Sequence, residues 1–123
     1  MLQILDHIHV VDKIFQCHLQ GLPHTYRAPR SEPIPEFRAL ADSARDTNDW
    51  YASYVANLAS EELEQPVDFT FTSGKPARLQ RGQILLHVCL HGTYHPGNAG
   101  ALLQLRGMTP SRDSVTDFLA DAP

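Results

Sequence analysis

The sequence predicts an all-α fold, an up-down bundle of three long helices with a short β-hairpin before the last. Apolar residues recur at alternating steps of three and four across 2–20, 36–59 and 81–106, the repeat of a single helix face. Gly21 and Pro23 follow the first segment, and Gly107 and Pro110 follow the third, as helix ends require. Only Val67–Thr72 alternates with period two.

The 123 residues form one expected domain, 1–123, with 42% hydrophobic and 20% charged residues. A formal net charge of −4 gives no electrostatic reason to expect nucleic acid or an anionic membrane surface. No apolar run approaches the roughly 20 residues that cross a bilayer. Met1–His7 lacks the basic and apolar regions of a signal peptide. Two cysteines, Cys17 and Cys89, make no disulfide framework, so the expected compartment is the cytoplasm.

In the first helix Ile4, Val11 and Ile14 form an apolar line that also carries His7 and His18, flanked by Ile8 and Phe15. His9 lies about 200° round from His7, so the two face different neighbours. Leu22–Pro35 holds four prolines and reads as a surface linker rather than a substrate lid. In the second helix Phe37, Ala41, Ala44, Asn48, Tyr51, Val55 and Leu58 form a bundle-type seam, widened by Thr47, Trp50 and Tyr54. Asn48 there is either a register device or a polar group facing a cavity. Ser60–Leu63 reads as a capped turn. Val67–Thr72, the turn Ser73–Pro76 and the return Ala77–Leu79 form the hairpin, which needs a helical body to pack on.

The third helix steps through Ile84, Val88, His91, His95, Asn98 and Leu102, which puts His91 and His95 on the seam and His87 at its edge. Pro96 cannot donate to the Gly92 carbonyl and should kink the helix there, and Gly97 and Gly100 loosen the same turn. After Gly107, Thr109–Asp113 should start a short helix that ends near Ala120.

Seven histidines, three of them within nine residues, need an explanation. A step of four on a helix separates side chains by about 40° and about 6 Å, so His91 and His95 are spaced to grip one ion. His7, on the first helix's seam, is the natural third ligand. Burying such imidazoles without partners costs on the order of 1–3 kcal/mol each, which a metal removes. Three neutral nitrogens leave a coordination position open, as in catalytic sites. Imidazole suits zinc, nickel, copper or iron, and a divalent transition metal, zinc or nickel first, is the expected cofactor. Gly92 stands where a zinc protease helix carries its glutamate. Cys17 is about 15 Å from His7 along the helix, too far to be a ligand. Cys89 should pack as a small hydrophobe, and Asp6 and Asp12 read as solvated groups or as minor orienting partners of His7.

Leu5-Asp6-His7-Ile8 through Val11-Asp12-Lys13-Ile14-Phe15 resembles the L-N-H-x-x-x-x-D-R-I-W stretch of the DinB-like metal-binding four-helix bundles. Leu85-Leu86-His87-Val88 through His95 is similar to the family's L-L-H-V-x-x-H-x-x-x-H signature, and Phe69–Gly74 to its hairpin. The likeness implies His7, His91 and His95 as the metal triad, the set the seams reach independently. It also implies a thiol-transferase-type enzyme in which the metal activates a small-molecule thiol, with Arg27, Arg30 and Arg106 as candidates for holding it. A metal-dependent hydrolase and a non-catalytic metal-binding or dimerisation module are the alternatives. Two departures stand out. His95-Pro96-Gly97-Asn98 replaces the family's H-R-G-Q, and the chain starts six residues before His7, where relatives carry a further helix. The apolar flank left open should be covered by a second copy, making a homodimer, or by the C-terminal helix.

Overall fold

The computed structural model describes residues 1–110 and 115–121. Helix α1 spans Leu2–Gln20, α2 Phe37–Ala56, α3 Arg81–Leu105 and the short α4 Val115–Asp121. A 3₁₀ turn at Ser60–Glu64 and the strands β1, Pro66–Thr70, and β2, Pro76–Gln80, lie between α2 and α3. The expected all-helical body with its hairpin before the last long helix is what forms. The restart expected from Thr109 runs through Ser111–Asp113, outside the described residues.

Gly21 ends α1 at φ 66°, a left-handed conformation that costs glycine little. Its N–H donates to His18, and the N–H of Leu22 donates to Cys17 at 2.9 Å, the paired bonds of a Schellman end. Helix α1 is the spine of the molecule and packs on both α2 and α3. Val11, Phe15 and Leu19 meet Val67 and Phe69 of β1 and Ile84 of α3 in the core.

The hairpin pairs Val67 with Leu79 and Phe69 with Ala77, which turns these apolar residues inward. Asp68 and Arg78 pair across its outer face at 2.9 Å. Strand β2 passes straight into α3, whose start is capped by Gln83 Oε1 accepting the Gln80 N–H at 2.9 Å. The Arg81 guanidinium donates to the Leu19 carbonyl at 3.1 Å and to the Tyr54 hydroxyl. One side chain thus joins the end of α1, the last turns of α2 and the first turn of α3. That junction fixes how far α3 is slid along α1, and so which residues of the two helices meet.

One reading of the sequence needs correction. The buried face of α2 is centred to one side of its seam, although Tyr51 on the seam donates its hydroxyl to the Asp12 carbonyl of α1. Leu40 and Thr47 are the buried residues of α2, with Trp50, Tyr51 and Tyr54 packed on the core. The observed face is rotated about a quarter turn from the expected line. Phe37, Val55 and Asn48 are left exposed, and Asn48 faces a groove. Apolar spacing marks a wide arc on α2 but not which part of it finds a neighbour. Helix α3 runs through Pro96 over its full 25 residues, matching the expected span 81–106.

Candidate metal centre

His7 sits on the side of α1 turned to α3, and His91 and His95 answer it from α3. Their ligating nitrogens all lie within 4.8 Å of one another. His7 Nε2 and His91 Nε2 are 3.2 Å apart. The ring centroids are separated by 5.0 Å for His7–His91, 4.8 Å for His7–His95 and 4.5 Å for His91–His95, each pair edge to face. Nitrogens bound at about 2.0–2.1 Å to a tetrahedral ion lie about 3.3–3.4 Å from each other. The closest pair already meets that spacing, so the donor set fits a divalent ion.

The protonation pattern agrees. His7 Nδ1 lies 2.7 Å from the Pro29 carbonyl oxygen. A carbonyl only accepts, so the proton is on Nδ1 and the lone pair of Nε2 points toward His91. Burial, and then the neighbouring His95, His7 and His87, push the His91 pKa down to about 4. His91 is therefore neutral at pH 7, the form that ligates. Its Nδ1 is buried without a hydrogen-bond partner.

The loop from Leu22 to Pro35 is more than the linker it was read as. Asp6, expected as a solvated group or a minor orienting partner of His7, is fully buried, and its Oδ2 accepts the Ser31 N–H at 2.8 Å. That bond holds the loop down two residues beyond Pro29, whose carbonyl orients His7. The reach of a backbone carbonyl from a proline-rich loop leaves no mark in residue spacing, so only the structure reveals it.

Two cavities flank the cluster. One, of about 660 Å³, lies between the start of α1 and the loop and is lined by Gln3, Asp6, His7, Arg30 and Ser31. Arg30 there is paired with Glu32 at 3.1 Å. Arg27 lines a neighbouring depression, and Arg106 lies about 16 Å along α3 from His95, so the three arginines do not converge. The second cavity, about 250 Å³, is mostly apolar and lies between α1, the hairpin end and α3. Phe15, His18, Phe71, His87 and His91 are among its walls. Phe71 was missed as a site residue, although the period-two run places it on the inward side with Phe69.

The remaining histidines have other surroundings. His9 faces α2, with Nε2 2.8 Å from Ser43 Oγ, and its pKa is lowered by burial first and by Lys13 second, against Asp6. His18 stacks on Phe69 at 4.7 Å, and burial, then His24, lowers its pKa. His87 is exposed, with its ring 5.1 Å from Phe15 and 5.6 Å from His91. Cys89 is exposed too, contrary to the packed position expected for it.

Among the described residues no helix is long and apolar enough to cross a membrane. No curated protein and no solved structure matches the chain. One family model matches residues 1–122, nearly the whole sequence and both histidine-bearing helices. With that span and a three-histidine cluster compatible with metal binding, the chain belongs to the DinB family.

Proposed function

We propose that this protein is a metal-dependent transferase that activates a small thiol at the cluster of His7, His91 and His95. The observation that carries the reading is the fixed tautomer of His7. A proton pinned on Nδ1 by the Pro29 carbonyl leaves Nε2 free, 3.2 Å from His91 Nε2. A histidine packed only as core filler has no need of that arrangement. The three imidazoles are the residues to hold a divalent ion, zinc or nickel first. What such an ion supplies is Lewis acidity and a position for sulfur, so that a thiol held there loses its proton at neutral pH.

The chain's own groups do the rest. Asp6 keeps the loop closed over His7, and Pro29 keeps that ring turned to α3. The mostly apolar cavity beside His91 takes the electrophilic partner, a compact, weakly polar molecule on the scale of about 250 Å³. Phe15 and Phe71 supply its flat walls. Exposed His87, at the mouth of that cavity, receives the thiol proton and passes it to water. Sulfur then bonds to the electrophilic carbon as the leaving group departs.

Protein purified without immobilised nickel should contain one metal ion per chain, and the His91→Ala, His95→Ala double variant should contain none. A panel of cellular thiols with a chromogenic aryl halide should then show turnover that depends on the metal. Metal-free wild-type protein that takes up no zinc at micromolar concentration would overturn the site. Stoichiometric metal with no turnover of any thiol would leave a binding module and overturn the transferase.

A further inference from the structure

We infer that the groove between α1 and the first half of α2 is a second ligand site, which takes a small amphiphile with an ammonium head and an apolar body. His9 meets Ser43, and the Asp12 carbonyl meets the Tyr51 hydroxyl, so the two helices run side by side in the same direction. The groove between them has a volume of about 280 Å³ and shares no lining residue with the histidine cluster.

Its two ends differ. Leu5, Ile8, Phe37 and Ala41 line one end, and Asp12 and Asn48 the other. The polar pair lies about 10 Å along α1 from Leu5 and about 16 Å along α2 from Phe37. On α1, Leu5, Ile8 and Asp12 fall within about 60° of one another, so the apolar and polar parts share one continuous face.

The polar end lacks partners. Asp12 is half-buried, its Oδ1 has no hydrogen-bond partner, and among the described residues it makes no ion pair. Lys13 beside it projects about 100° away round the helix. His9, only 8% exposed, engages Ser43 Oγ through Nε2, which leaves Nδ1, buried and unpartnered, for the groove it lines. Buried polar atoms are normally bonded and buried charges paired. An ionised carboxylate only accepts, and the Asn48 amide oxygen and an unprotonated imidazole nitrogen accept as well. An ammonium answers that set, because it only donates and its charge complements Asp12. A carboxylate or phosphate head would oppose Asp12.

Volume sets the body. A helix is about 10 Å across, so a 10 Å length of one fills about 800 Å³, nearly three times the groove. Small-molecule sites start at about 300 Å³, and an alkyl chain lies readily along Leu5 and Ile8.

Titration of the full-length protein with n-octylamine at about pH 8, where an alkylammonium is charged as a lysine is, should give saturable binding at submillimolar concentration. The Asn48 side-chain amide and the Ala41 and Ala44 methyl signals should shift in NMR spectra. Octanoate should bind at least tenfold more weakly. Asp12→Asn, which keeps the side chain's shape, should weaken the amine at least tenfold while leaving octanol binding within about twofold. Ala44→Leu, which fills the groove, should abolish both with helical circular dichroism retained. Octylamine that does not saturate, or that binds Asp12→Asn as well as the wild type, would overturn the inference, as would octanoate binding as tightly. The His91→Ala, His95→Ala variant should bind the amine unchanged. Loss of binding there would put the amine on the metal and overturn the groove site, whereas binding retained there stands whatever becomes of the histidine centre.

Discussion

At the scale of single residues, a buried carboxylate and a half-buried one do different work. Asp6 accepts the Ser31 N–H and so keeps the Pro29 carbonyl over His7. Asp6→Ala should leave the fold standing and weaken zinc binding about 10- to 100-fold, the usual effect of losing support behind a ligand, as measured by competition with a chromogenic chelator. Asp12 has a buried Oδ1 with no partner, and burial raises its pKa from 3.8 to about 7. Between those values the folded chain binds more protons at Asp12 than the unfolded chain does. Its contribution to stability therefore falls as pH rises from about 4 to about 7. His91, depressed from 6.5 to about 4, acts in the opposite sense in metal-free protein, losing stability as pH falls through that window. Comparing Asp12→Asn with the wild type isolates the carboxylate. The variant should be the more stable at about pH 8 and should match the wild type near pH 4 in urea unfolding.

At the scale of elements, Pro96 leaves the Gly92 carbonyl without its helical donor, a loss typically worth about 3 kcal/mol relative to alanine in a helix interior. Pro96→Ala should raise unfolding free energy by up to about that amount, read from the urea midpoint at unchanged slope. Ile84, with no exposed surface at the crossing of α1, the hairpin and α3, should cost about 2–5 kcal/mol as Ile84→Ala. The elements themselves were legible in the sequence. Gly21 and the four prolines bounded α1, the alternation of Val67–Phe71 marked the hairpin, and the four-residue spacing of His91 and His95 marked the site. The orientation of α2 was legible only in part, because Thr47, Trp50 and Tyr54 mark the side on which the seam widens but spacing cannot say how far the buried face is turned toward it. The Pro29 carbonyl was hidden for a different reason. Every residue carries one, and only the path of the loop selects this one.

At the scale of the whole molecule, the cluster joins residues 84 apart in the chain, His7 and His91. An ion bound only by the folded form stabilises it by mass action, by about 4 kcal/mol when its free concentration is 1,000 times the dissociation constant. Zinc should therefore raise the unfolding temperature of the wild type, and a chelator should reverse the gain. The His91→Ala, His95→Ala variant should respond to neither in differential scanning calorimetry.

His95 stands immediately before Pro96, at the boundary between a well-anchored half of α3 and a half weakened by Pro96, Gly97 and Gly100. Occupancy of the cluster would therefore govern more than the ligands themselves. Backbone amides from residue 98 to 105 should exchange with deuterated solvent quickly in the apoprotein and slow down once the imidazoles are engaged, so that one end of the helix reports what is bound at its middle.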